Sequence, residues 1–429
     1  MNIYHSATLP NGLRIIHEAS ASDVVYCGYV VRAGTRHEDA GDSGMAHFIE
    51  HMSFKGTQRR RAWHISNGLE RVGGDLNAFT TKQETVYHAT VLRPDFGRAA
   101  DLLTDIVFHS TYPQHEITRE VEVICDEIES YADSPSEIIF DEFESMLFEG
   151  QSLGRDILGR AERLRGYTTA DALRYVRRHY RTDNAVFFVY GNVDFGLVER
   201  TMRRLTMEIG AENAGSIGEN AAGLPAAEVG NGPAGERPYD CTAGPYAGET
   251  RVVNKDTHQA HVLVGGRTFG GSDPRRFALI LLNNMLGGPG MNSRLNMKLR
   301  EHAGLVYSIE ANLSTYPDTG WWSAYFGCDP QDIARCRRMV ERELRRFIDT
   351  PLTPAQLAAA KKQLAGQIGI SLDAGESRAL ALGKCFAHYG HYRDTRELLD
   401  EVGKITPADL QETAAAVYTP ERITTLIYR

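Results

Sequence analysis

The chain has 429 residues, of which 42% are hydrophobic and 24% charged, and its formal net charge is −9. That balance is ordinary for a soluble globular protein of two or three domains. It excludes the basic footprint of a nucleic-acid-binding chain.

Apolar runs such as residues 277–282 are far too short to span a membrane. The N-terminus, Met1-Asn2-Ile3-Tyr4-His5, has neither the basic region nor the apolar core of a signal peptide. Six cysteines are scattered without a Cys-x-x-Cys pair, which argues against zinc fingers, redox motifs and a disulfide framework. A reducing, cytoplasmic setting is the expectation.

In chain order, residues 7–17 and 24–32 read as strands. Residues 43–54 read as a helix with Ser43 as its N-cap. Residues 75–81 and 85–92 read as two strands joined by a short polar turn. Residues 95–109 and 116–132 read as helices, the second ending before Pro135. Residues 210–238 hold seven glycines in 29 positions and no sustained apolar period, so they read as a linker. It separates an N-terminal domain, 1–209, from a C-terminal domain, 239–429.

The two domains read as repeats. Ala170, Asp171 and Tyr180 fall on Ala408, Asp409 and Tyr418 without a gap, and each passage predicts a helix followed by a closing strand. The expected fold is α+β: two homologous domains, each a mainly antiparallel sheet with helices packed on one face.

His47 and His51 are four apart on the predicted helix, so both imidazoles lie on one face, where they can share a metal. Glu50 lies close to that face. This is the inverted His-x-x-Glu-His order of zinc peptidases. Such chemistry needs a Lewis acid that lowers the pKa of water and a carboxylate that takes its proton and passes it to the leaving amine.

A catalytic zinc ordinarily has three protein ligands. Helix 116–132 offers Glu120, Glu122, Glu127 and Glu129. Glu120 and Glu127 share one face and Glu122 and Glu129 another, and spacing does not choose between them. All four also fit a solvated acidic face.

Further motifs carry a resemblance. The segments Leu9-Pro10-Asn11-Gly12-Leu13, Ala33-Gly34-Thr35-Arg36, Gly44 to Met52 and Phe54-Lys55-Gly56-Thr57 resemble the pitrilysin/insulinase family of zinc metallopeptidases, in its short, processing-peptidase-like branch. The resemblance covers nearly the whole chain. In that family the third ligand, a glutamate, lies about 76 residues beyond the second histidine, which implies Glu127. An acidic residue two turns upstream, here Glu120, is implied in supporting the ligands. Glu122 and Glu129 are left as surface residues.

Residues 77–87 are similar to the stretch in which the family docks substrate as an added strand, which implies Asn77 and Ala78 as peptide-binding residues. The second half lacks the histidine motif. It offers a glycine-rich loop, Gly287-Gly288-Pro289-Gly290, and then Arg300 and Tyr307 at the family's seven-residue spacing. By resemblance Arg300 anchors a substrate carbonyl and Tyr307 stabilises the developing oxyanion. His258 and His261 read as strand residues.

The resemblance implies an endopeptidase that holds one Zn2+ per chain and cleaves short, unfolded or presequence-like peptides, with Glu50 as general base on the zinc-bound water. Short members pair, so a homodimer is expected, with no nucleic-acid or membrane partner. The alternative is a non-catalytic, peptide-binding or scaffold member. A zinc enzyme for non-peptide substrates fits the peptide-docking stretch less well.

Overall fold

The structure is a computed structural model that describes residues 4–39, 41–209, 246–255, 257–371, 373–392 and 395–429. The predicted linker, 210–238, lies outside the described residues. Contacts divide the chain into two units, and the division does not follow sequence order. The first holds residues 1–128, 155–238 and 372–392; the second holds 129–154, 239–371 and 393–429.

The first unit is built on six strands: β1 (Tyr4–Thr8), β2 (Arg14–Ala19), β3 (Val24–Val31), β4 (Asp75–Thr80), β5 (Thr85–Leu92) and β6 (Ala185–Gly191). Their order is β1-β2-β6-β3-β5-β4, with β2 and β6 parallel and every other pair antiparallel. Residues 7–17 are therefore not one strand. Leu9-Pro10-Asn11-Gly12-Leu13 turns the chain back, Leu9 N–H bonding Leu13 O at 2.8 Å, and β1 and β2 flank that turn.

Alternation along the strands gives the sheet two apolar faces. Val25, Cys27, Tyr29, Tyr87, Ala89 and Phe187 face the main core, formed with α1 (Met45–Ser53), α2 (Ala62–Glu70), α3 (Phe96–Phe108) and α4 (Gln114–Ala132). Ile16, Val30, Val86, Val186 and Phe188 face the other way and would be exposed without a cover.

The cover is helix Gly375–Tyr389, from the far end of the sequence. Its Ala379, Leu382 and Phe386 recur at helical spacing and fill that face. Burying a side chain such as Leu382 contributes roughly 1.5–3 kcal/mol. Gly383 lets the helix approach, since a Cβ there would lie 2.5 Å from the Phe188 ring.

The second unit repeats the plan with five strands: β7 (Thr250–Val253), β8 (Ala260–Phe269), β9 (Val306–Thr315), β10 (Thr319–Cys328) and β11 (Thr424–Tyr428). Their order, β7-β11-β8-β10-β9, matches β2-β6-β3-β5-β4, including the one parallel pair, β7 with β11. Matching helices precede β6 and β11. Thr168 with Asp171 and Thr406 with Asp409 form the same capping box, each threonine accepting from the aspartate backbone N–H. Helix α5 (Pro135–Leu147) supplies Ile139, Phe143 and Leu147 to a face of this sheet, as Gly375–Tyr389 does for the first. Among the described residues, no helix is long and apolar enough to cross a membrane.

Candidate metal centre

Helix α1 carries His47, Glu50 and His51, and nearly every residue along it is buried. Its N-cap is Gly44, not Ser43. Gly44 has φ +73°, and a Cβ there would lie 2.5 Å from Leu158 O, so only glycine fits the entry to this helix. No side chain of the N-cap residue satisfies the first amides. Glu38 does so instead, accepting from Gly44 N–H at 3.2 Å and Ala46 N–H at 3.0 Å. Burial, opposed by these amides, raises the Glu38 carboxyl to about 7.

The two histidine rings lie with centroids 4.5 Å apart at an interplanar angle of 66°. Opposite them, α4 brings Glu127. Its Oε2 lies 3.5 Å from His51 Nε2 and 3.9 Å from His47 Nε2. Ligand atoms of the three residues all lie within 4.8 Å of one another, a spacing that one ion can bridge. Two imidazoles and one carboxylate suit zinc.

The electrostatics fit a cation. Burial, with His51 alongside, lowers His47 to about 3, so its imidazole is neutral and has a lone pair to give. Burial would also lower His51. The hydrogen bond to Glu120 and the charges of Glu50, Glu120 and Glu127 outweigh it and raise His51, so the site favours positive charge.

Glu120 Oε1 accepts from His51 Nδ1 at 2.9 Å, which leaves Nε2 free to face Glu127. Its other oxygen pairs with Lys55 Nζ at 2.6 Å. The remaining acidic pair on α4 takes no part. Glu122 is exposed and pairs with Arg165 at 3.2 Å, and Glu129 is exposed.

Glu50 is 9% exposed, and its Oε2 accepts from Thr80 Oγ1 at 2.6 Å. Burial raises its pKa, against the opposing effects of Thr80 and His51. Thr80 ends β4, which is an edge strand of the sheet. Asn77 and Ala78 lie on that strand opposite His88 and Tyr87 of β5. The Ala78 N–H is met by its neighbour's Asn77 Oδ1 at 2.8 Å.

The first unit thus brings together His47, Glu50, His51, Glu120 and Glu127, with Asn77 and Ala78 on the adjoining edge. Arg300 and Tyr307 belong to the second unit. Arg300 is exposed in the helical segment Asn296–Glu301, and Tyr307 is 64% exposed on β9, the edge strand corresponding to β4. His261 lies in β8, its Nδ1 2.8 Å from Tyr325 Oη, whereas His258 precedes that strand and is not part of it.

Three contributors are absent from the sequence reading: Thr80, Lys55 and Glu38. Thr80 has a signal, since strand alternation puts it on the same face as Ala78. Lys55 follows His51 by four residues but lies beyond the end of α1 at Ser53, so helical spacing does not place it. Glu38 has none, because its role depends on how the loop before α1 folds back.

Residues 14–161 match the family described as Insulinase (Peptidase family M16), and residues 167–364 match the Peptidase M16 inactive domain. The chain is 32% identical over 412 residues to an uncharacterized zinc protease of Streptomyces coelicolor, covering 96% of this chain and 86% of that one. It is 30% identical over 421 residues to the uncharacterized zinc protease YmxG of Bacillus subtilis, covering 98% and 97%. Among solved structures, a protease from Helicobacter pylori aligns with a TM-score of 0.87 at 20% identity over 99% of both chains. A peptidase M16 inactive domain from Pseudomonas fluorescens aligns at 0.86 and 16% identity, covering 100% of this chain and 98% of that one. At those identities the two structures speak for the α+β fold. The chain belongs to the insulinase family of peptidases, M16, and relatives spanning nearly its whole length are named zinc proteases.

Proposed function

We propose that this chain is a zinc-dependent endopeptidase acting on short, unfolded or presequence-like peptides. The observation that carries this reading is the convergence of His47, His51 and Glu127 beside a buried Glu50. Those three residues would hold one Zn2+ per chain. When bound, zinc supplies Lewis acidity toward water and the scissile carbonyl. Glu50 takes a proton from the attacking water and returns it to the leaving amine. Its raised pKa suits both directions of transfer. Thr80 holds one carboxylate oxygen, so that the other is left to handle the proton. Glu120 fixes the His51 ring through Nδ1.

Substrate would add to β4 as an extended strand along Asn77 and Ala78, an edge with no neighbouring strand beyond it among the described residues. Arg300 and Tyr307 would contact the peptide backbone and the developing oxyanion. Pairing of two chains as a homodimer is part of the same reading. The match of residues 167–364 to an inactive domain favours a second reading, a non-catalytic peptide-binding member. The complete ligand set and Glu50 in the first unit weigh against it.

Cleavage of a diverse peptide library with and without a chelator, read by mass spectrometry, separates the two. Cleavage that stops with chelator and returns with zinc is the expected result. Zinc-loaded protein that cleaves nothing would leave the binding reading, and cleavage indifferent to chelator would remove the metal from the reaction.

A further inference from the structure

Glu84 is a buried carboxylate that the proposed chemistry does not use. It closes the turn between β4 and β5. Its backbone oxygen accepts from Thr81 N–H at 2.8 Å and from Thr81 Oγ1 at 3.1 Å, and its own N–H donates to Thr81 Oγ1 at 3.1 Å. Its side chain points to the opposite face of the sheet from Glu50. There it accepts from His388 Nε2 at 2.7 Å and Lys384 Nζ at 2.9 Å, both on helix Gly375–Tyr389. Lys384 Nζ also lies 5.6 Å from the Phe79 ring centroid, on β4 itself.

The next residue, Thr85, is the register partner of Thr80. Their hydroxyls are 3.4 Å apart, and Thr85 Oγ1 donates to Ala33 O at 2.8 Å. The hydroxyl hydrogens of Thr80 and Thr85 go to Glu50 and Ala33 O, so it is the strand pairing of Thr85 with Thr80 that carries the connection from His388, Lys384 and Glu84 to Glu50. A buried ion pair is weak evidence for stability, because desolvation offsets the attraction, and its better-attested use is to fix one geometry. Here the fixed element is the turn that aims Thr80.

We propose that Glu84, held by His388 and Lys384, is a positioning residue for Glu50, so that a helix from the C-terminal end of the sequence sets the orientation of the general base. This rests on the reading of Glu50 given above. Arg378 on the same helix supplies a comparison, since it pairs with Glu18 on β2, away from the turn.

The test uses the zinc-loaded full chain and a peptide that the wild type cleaves. His388→Gln and Glu84→Gln are expected to lower kcat by about tenfold, with KM within about twofold and one zinc per chain retained. Amide hydrogen exchange should quicken in residues 75–92. Arg378→Met should lower thermal stability with kcat unchanged. His388→Gln leaves Lys384 on Glu84, so it carries the test where Glu84→Gln does not fold.

Unchanged kcat in His388→Gln, unchanged exchange in 75–92, or an equal loss of kcat in Arg378→Met would each overturn the inference alone. A zinc-loaded wild type that cleaves no peptide would overturn the reading of Glu50 and this inference with it.

Discussion

Thr80 donates its hydroxyl hydrogen to Glu50 at 2.6 Å, and this one bond ties the edge strand to the candidate base. The strand that would receive a peptide and the carboxylate that would serve it therefore share a point of attachment. A hydrogen bond to a charged group contributes about 1.5–3 kcal/mol. Thr80→Val, which keeps the shape and removes the donor, should lower kcat by roughly 10- to 100-fold at unchanged zinc content. Thr80→Ser should recover most of the loss. Equal rates for Val and Ser in a steady-state peptide assay would remove Thr80 from the site.

Glu50→Gln is close to isosteric and can still accept from Thr80. Glu50 is not among the three residues whose ligand atoms converge, so metal content should stay at one zinc per chain by elemental analysis. A glutamine cannot take the proton, and general-base loss is worth roughly 10²–10⁴-fold. Substantial turnover in a zinc-loaded Glu50→Gln preparation would sink the assigned role.

Glu120 would act on a bound metal through His51, whose Nδ1 it accepts from. Residues that orient a ligand in this way typically affect metal affinity by roughly 10–100-fold. Glu120→Ala should weaken zinc by that order in competition with a chromogenic chelator. Lys55→Met leaves the His51–Glu120 bond in place and should weaken zinc less. Zinc affinity unaffected by Glu120→Ala would show that the ring of His51 is held by its packing alone.

Much of this site was legible because it is local. His47, Glu50 and His51 sit within one helical turn, and helical spacing gives their common face without tertiary information. The fourth member was not local. Spacing left Glu127 level with Glu122, Glu120 and Glu129, and only the family resemblance chose it. The structure separates them by what lies opposite: two histidines for Glu127, Arg165 for Glu122. The repeat was legible in Ala170-Asp171 and Ala408-Asp409, because capping boxes are written in sequence.

The exchange of helices was not legible. Nothing in the pattern of 375–389 says which sheet its apolar stripe will cover, since an amphipathic helix specifies a face and not a partner. Residues 7–17 read as one strand because the apolar pattern on either side of Pro10-Asn11-Gly12 hides a tight turn that Pro and Gly in fact encode. Ser43 reads as a cap because its residue type is right. The actual cap position needs φ +73°, which Gly44 supplies.

That entry can be tested directly. Gly44→Ala would place a Cβ 2.5 Å from Leu158 O and 2.8 Å from Gly159 Cα, in a backbone conformation that alanine disfavours. Where the native φ is incompatible, a Gly→Ala change costs more than about 1 kcal/mol. Thermal denaturation should show a lowered midpoint, and zinc affinity should fall with it because the entry sets the start of α1. A variant as stable as wild type, with undiminished zinc affinity, would show that the loop before α1 yields without cost.

Burial alone would raise the Glu84 carboxyl, but the hydrogen bond and charge of His388 and the charge of Lys384 outweigh it and lower the pKa from 4.5 to about 2. A carboxylate depressed in the folded state adds stability above its unfolded pKa and loses that stability as pH falls through the folded value. The window is therefore from about 4.5 down to about 2. The contribution is on the order of 3 kcal/mol, since each pKa unit is worth about 1.4 kcal/mol. Other carboxylates also titrate in this range, so the informative quantity is the difference from Glu84→Gln. Urea unfolding from pH 6 to pH 2 should show the variant less stable at the upper end. The gap should narrow as pH falls, because protonation removes from the wild type the charge that the variant already lacks. Two curves that run parallel across the window would show that Glu84 gains nothing from its charge, and the ion pair with helix Gly375–Tyr389 would then be a consequence of packing rather than a contributor to it.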